Sequence, residues 1–275
     1  MPAVVRIVLS VALLLAAARA SGQDRTTLYT PRDAGATPQP AEGARDVPEP
    51  HRSGFSQFVR DVAGDYGYVF SKETALWWGG GAASAGLVHL ADEALRQETE
   101  DPEAGLTRTL EAGGTGATYG NLSLQVPLAI GWWALGHAAN SPGSAAAGRS
   151  LLRAQINALS WTYAFKFAVN RTRPNGDPRS FPSGHASATF ATAAVLQHYY
   201  GWRVGLPVYA AASLTGASRI TVDKHWASDV VFGAFIGIAS GRTATRLERR
   251  TGFAIQPLLR GDRVGVTVTR IDRRP

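Results

Sequence analysis

From Phe55 to Arg249 the chain runs as long apolar blocks separated by short polar breaks, and this alternation constrains it to a helical bundle. The blocks predict helices over Gly54–Gly64, Lys72–Glu98, Asn121–Ala139, Arg149–Val169, His185–Tyr200, Val204–Ala217 and His225–Arg249. Breaks fall at Gly113-Gly114, Ser141-Pro142-Gly143, Arg173-Pro174-Asn175-Gly176 and Gly201, where Gly and Pro interrupt the helical pattern. The period then changes. Val264, Val266 and Val268 alternate with Gly265, Thr267 and Thr269, with Gly261-Asp262 as a turn and Phe253–Leu259 as the facing segment. Strand spacing on both sides of a turn predicts a β-hairpin. The expected fold is all-α, an antiparallel helical bundle with its site at one end, plus a short C-terminal β-hairpin.

The breaks carry the chemistry. The first polar cluster is Lys166 followed by Arg173-Pro174, the second Pro182-Ser183-Gly184-His185, and the third Ser218-Arg219, His225 and Asp229. One predicted helix ends at the first cluster, the next begins at the second, and a third returns to finish at Ser218-Arg219. In an up-down bundle with short loops, the clusters therefore meet on one face. There Lys166, Arg173 and Arg219 can neutralise a phosphate, the arginines with paired N–H donors and the lysine as a point charge. Backbone N–H groups at Ser183 and Gly184, opening a helix, also face an anion well, and Ser183 can either cap that helix or bind a phosphate oxygen. Asp229, four residues after His225, shares a helical face with it and can fix the imidazole tautomer, leaving the other nitrogen free to attack. His185 is placed to protonate a departing alkoxide. His51, His89, His137 and His198 read as structural or surface residues, and the sequons at Asn121 and Asn170 as coincidental.

The ends of the chain place it. Arg6 precedes an apolar run from Ile7 to Ala18, and Ala18-Arg19-Ala20 matches a signal-peptide cleavage site. The run is shorter than the ~20 residues of a spanning helix, which favours a cleaved signal over an anchor. We divide the chain into a signal peptide (1–20), a flexible leader (21–52), a helical domain (53–250) and a hairpin tail (251–275). Export implies the cell envelope, at the inner membrane or in the periplasm, with the site on the periplasmic side. The absence of cysteine excludes disulfides, thiolate catalysis and cysteine-held metals. The net charge of +7 gathers late, with nine arginines from Arg242 onward against Glu248, Asp262 and Asp272. Such a tail suits anionic lipid headgroups better than nucleic acid in an exported chain, a merely solvated surface being the alternative. The stretch from Asn121 to Asn140 is charge-free, yet mean hydropathy is only −0.08. Membrane association is the expectation. Trp77-Trp78 and Trp132-Trp133 fit either an interfacial belt or a core.

Together the three clusters resemble the signature of the type 2 phosphatidic acid phosphatase superfamily, which also includes bacterial non-specific acid phosphatases and vanadium haloperoxidases. The matching positions are Lys166, Arg173 and Pro174; Pro182, Ser183, Gly184 and His185; and Ser218, Arg219, His225 and Asp229. The resemblance implies phosphomonoester hydrolysis, on lipid phosphates among other substrates, through a phosphohistidine and without metal or other cofactor. It implies His225 as nucleophile, Asp229 as its orienting group, His185 as general acid, and Lys166, Arg173, Ser183, Gly184 and Arg219 as phosphate ligands. A vanadate-dependent haloperoxidase and a non-catalytic envelope protein with a retained anion pocket are the alternatives.

Overall fold

The structure is a computed structural model that describes residues 55–99, 114–246, 250–260 and 263–273. The proposed signal peptide and leader lie outside the described residues. The helices are α1 (Phe55–Tyr68), α2 (Lys72–His89), α3 (Asp92–Thr99), α4 (Thr115–Gly120), α5 (Leu122–Ala138), α6 (Pro142–Val169), α7 (Gly184–Tyr200), α8 (Trp202–Thr221) and α9 (Ala227–Thr245). Strands β1 (Arg250–Arg260) and β2 (Arg263–Arg273) pair antiparallel, with Arg250 opposite Arg273 and Arg260 opposite Arg263.

Helix α9 is the central element. Each of its residues except Arg242 is buried, as expected of a helix without a polar face. It packs chiefly on α7, and also on α2 and α6. Gly233 and Gly237 make the α7 contact possible. A Cβ on Gly237 would lie 2.4 Å from the Ser187 carbonyl oxygen, and one on Gly233 2.6 Å from that of Ser183. Both glycines therefore set how closely α9 approaches the first turns of α7, where His185 sits. Phe190, Val195, Ile220, Val230 and Ile236 fill the interior. An aromatic group wraps it, with Phe181 stacked on Phe232 at 4.8 Å and Trp78 edge-on to Trp161 at 5.5 Å.

Several boundaries differ from expectation. The block Lys72–Glu98 is two helices, because the chain turns at Leu90 and Ala91, where i→i−3 hydrogen bonds to Leu87 and Val88 close α2. That turn sends Asp92 inward. Helix α6 starts at Pro142 rather than Arg149, because proline fits the first turn, where its missing N–H costs nothing. It ends at Asn170 in the left-handed conformation (φ 45°), a common helix terminus. The tryptophan pairs divide: Trp77 packs on Phe235 and Trp78 on the aromatic group, whereas Trp132 and Trp133 are exposed. Among the described residues no helix is long and apolar enough to cross a membrane.

The bundle end away from the polar clusters is closed by ion pairs. Arg153 grips the fully buried Asp65 through Nη2 at 2.6 Å and Nε at 2.9 Å, Arg246 reaches the same carboxylate, and Arg149 pairs with Asp61.

Candidate active site

At the opposite end, the tips of α6, α7 and α8 and the turn before α9 surround a cavity of about 370 Å³, within the usual size for a ligand site. Lys166, Arg173, Gly184, His185, Arg219 and His225 line it, although up to 59 residues separate them in sequence (225 − 166). Leu122, Leu159, Tyr163 and Ala188 line it as well, so cationic and apolar groups share one space.

Each polar residue is held by its local structure. Lys166, on the last turn of α6, donates from Nζ to the carbonyls of Arg179 (2.7 Å) and Ser180 (3.3 Å). Arg173 belongs to a loop closed by Arg173 N–H to Asp177 O (2.8 Å), Ser180 N–H to Arg171 O (2.7 Å) and Asn175 N–H to Asp223 O (3.2 Å). Its Nε is buried without a hydrogen-bond partner, an orphan donor suited to an anion. Arg219 is buried on the last turn of α8, and its carbonyl accepts the N–H groups of both Lys224 and His225 at 3.1 Å. His185 is on the first turn of α7, capped by Ser183.

One expectation needs correction. His225 and Asp229 do not share a helical face, because α9 begins at Ala227 and the Arg219 carbonyl holds His225 in the preceding turn. The two still approach: His225 Nδ1 lies 3.7 Å from Asp229 Oδ2, an ion-pair distance too long for a hydrogen bond, and Nδ1 has no other partner. Ser183, fully buried, caps α7 by accepting the Ala186 N–H at 3.4 Å and is not among the cavity-lining residues.

Asp229 is buried, and both its oxygens are engaged. Oδ1 accepts from Arg171 Nη1 at 2.9 Å; Oδ2 accepts from the Trp226 N–H at 2.9 Å and, in a short contact, from Ser180 Oγ. One carboxylate thus caps α9 and faces His225. Sequence reasoning passed over Arg171, Ser180, Ser228 and Asp92. Arg171 was within reach, two residues before Arg173 in the same cluster, but Asp92 lies in a helix that shares no motif with the clusters. His89 is exposed, and its Nδ1 contacts Asp92 Oδ2 at 2.9 Å and Arg171 Nη2 at 3.1 Å.

Electrostatics separate the two histidines from ordinary ones. Burial, opposed by the Asp229 contact and reinforced by the charges of Lys166 and Arg173, holds His225 down at about 4. It is neutral at neutral pH, with a lone pair available. Burial and the charges of Arg219 and His225 lower His185 to about 4, against a hydrogen bond to the Ala117 backbone. A bound phosphate adds negative charge beside His185 and favours its protonated form. For Asp229, burial raises the carboxyl, but the contacts from His225 and Ser180 and the charge of Arg171 outweigh it, and the net direction is downward.

Burial and the Arg173 charge pull Lys166 down to about 8. A lysine with a lowered value loses its cation early as pH rises. Phosphate-ester kcat/KM should therefore fall as pH passes about 8, and Lys166→Arg should move that alkaline limb upward. A pH profile of both proteins decides it; an unmoved limb assigns the titration to another group.

A family model described as the PAP2 superfamily matches residues 144–252. A lipid A 1-phosphatase of Porphyromonas gingivalis is 40% identical over 102 residues, covering 36% of this chain and 22% of that protein. A lipid A 4'-phosphatase of Helicobacter pylori is 41% identical over 58 residues, covering 21% of this chain and 29% of that protein. The chain thus spans less than a third of the length of these curated relatives. No solved structure matches it. All three polar clusters fall inside residues 144–252, the stretch of this chain that is similar to the PAP2 superfamily.

Proposed function

We propose that this protein is a phosphatase that hydrolyses phosphate monoesters of lipids through a phosphohistidine on His225, without a metal ion. One observation carries the reading: a single cavity joins two histidines and four cations, Lys166, Arg173, Arg219 and Lys224, to apolar side chains. The cations Lys166, Arg173 and Arg219 suit a phosphate dianion, and their positive charge does the work a divalent cation does elsewhere. His225 is the nucleophile because its neutral ring has one nitrogen toward Asp229 and the other toward the cavity. His185 is the general acid. Leu122, Leu159 and Ala188 suit the hydrocarbon next to a lipid phosphate, and the lipid A phosphatases among the relatives support a phosphorylated lipid as substrate. The exposed Leu128, Trp132 and Leu135 of α5 favour a membrane surface. The N-terminal export signal favours the cell envelope, with the site on the periplasmic side.

The test is an assay of purified protein on a panel of lipid phosphates, soluble sugar phosphates and p-nitrophenyl phosphate. Lipid phosphates should turn over with the highest kcat/KM, activity should persist in EDTA, and vanadate should inhibit by occupying the cationic pocket. Loss of activity in EDTA that a divalent metal restores overturns the metal-free mechanism. A preference for sugar phosphates overturns the lipid assignment.

A further inference from the structure

Helix α3 lies outside the stretch that matches the family model, yet Asp92 at its first position reaches the site. Its side chain is buried. Oδ1 accepts the Ser228 N–H at 2.9 Å, and Oδ2 accepts from Ser228 Oγ at 2.6 Å and Arg171 Nη2 at 2.8 Å. Arg171 spans two carboxylates, since Nη1 donates to Asp229 Oδ1 at 2.9 Å and to Ser228 Oγ at 2.8 Å. Its guanidinium also lies 5.1 Å over the Trp226 ring. Asp92, Arg171, Ser228 and Asp229 therefore form one connected network behind His225.

We infer that Asp92 and Arg171 are positioning residues: Asp92 locks the Arg171 fork, and Arg171 holds Asp229 Oδ1 so that Oδ2 stays aimed at His225 Nδ1. The inference rests on the reading of His225 as nucleophile. A carboxylate's terminal torsion is soft and roughly two-fold. With Arg171 on one oxygen and the Trp226 N–H on the other, the Asp229 carboxylate cannot turn without breaking both bonds. The turn between α2 and α3, which sends Asp92 inward, thus completes a site whose motifs all lie more than 70 residues later (166 − 92 = 74). The ionisable groups around Asp229 are His225, Arg171, Lys166, Asp92 and, through Asp92, His89.

The experiment compares D92N, R171A and R171K with the parent protein and with H225A. D92N and R171A should lower kcat roughly tenfold to a hundredfold, as expected when a reacting group loses its aim. KM and the vanadate inhibition constant should stay within about twofold, since the phosphate ligands are intact. In R171A the acid limb of kcat should also move to higher pH, because Asp229 loses the cation that keeps it ionised. Added guanidinium ion should partly restore R171A, and R171K should fall between it and the parent. D92N keeps Arg171 and the side-chain size, so it decides the matter should R171A fail to fold. Unchanged kcat in D92N and R171A while H225A is inactive overturns the inference and leaves the phosphatase reading standing. A loss that appears in KM or vanadate affinity overturns it as well, by assigning the residues to substrate binding. An active H225A overturns the nucleophile assignment itself.

Discussion

His225→Ala should reduce turnover by on the order of 10⁴-fold or more, the scale seen when a nucleophile is removed from a site whose groups act as a unit. The argument is one of geometry. In the proposed reaction the nitrogen of His225 that faces the cavity attacks phosphorus, and the bond from phosphorus to the ester oxygen breaks. The leaving alkoxide takes a proton, and water then cleaves the phosphorus–nitrogen bond to release phosphate. Among the described residues lining the cavity, His185 is the other imidazole, and its ring is already engaged with the Ala117 backbone. The check is double. Steady-state kcat should collapse, and rapid quenching in alkali should trap a labelled phosphoenzyme with the parent protein and none with H225A. Labelled phosphoenzyme in H225A would place the covalent bond elsewhere.

His185→Ala should slow hydrolysis of an alkyl phosphate by roughly 10²–10⁴-fold, the usual contribution of general acid catalysis. The effect should depend on the leaving group. An alkoxide needs a proton as it departs, whereas p-nitrophenolate is stable without one. The variant should therefore lose much less activity on p-nitrophenyl phosphate than on an alkyl ester. Equal losses on both esters would show that His185 binds phosphate or shapes the pocket instead of donating the proton. Its position permits either role, because it lines the cavity one residue after Gly184, where backbone N–H groups open α7.

The clusters were legible in the sequence for a physical reason. Anion-binding groups at the ends of antiparallel helices need fixed spacing from the helix termini, and Gly and Pro mark those termini locally. Lys166, Arg173, His185, Arg219 and His225 could therefore be assigned to one mouth before any coordinates, and the cavity contains all five. Helix ends were less legible. Pro142 interrupts the hydrophobic pattern yet opens α6, and Pro207 lies inside α8. Proline is compatible with both a first turn and a boundary, and only packing chooses between them.

By itself, the sequence determined the helical class, the residues of the three polar clusters and the end of the bundle where they gather. These follow from hydrophobic period and from residues adjacent to helix breaks, all of them short-range properties. The tertiary structure alone decided what stands behind His225. Asp92 and Arg171 meet Asp229 because α2 turns at Leu90 and because Gly233 and Gly237 let α9 settle against α7. Contacts between segments so far apart depend on the close packing of whole helices, in which side-chain volume at one crossing sets positions at another. No local pattern encodes that, and so the candidate site can be read along the chain while its support can be read only in three dimensions.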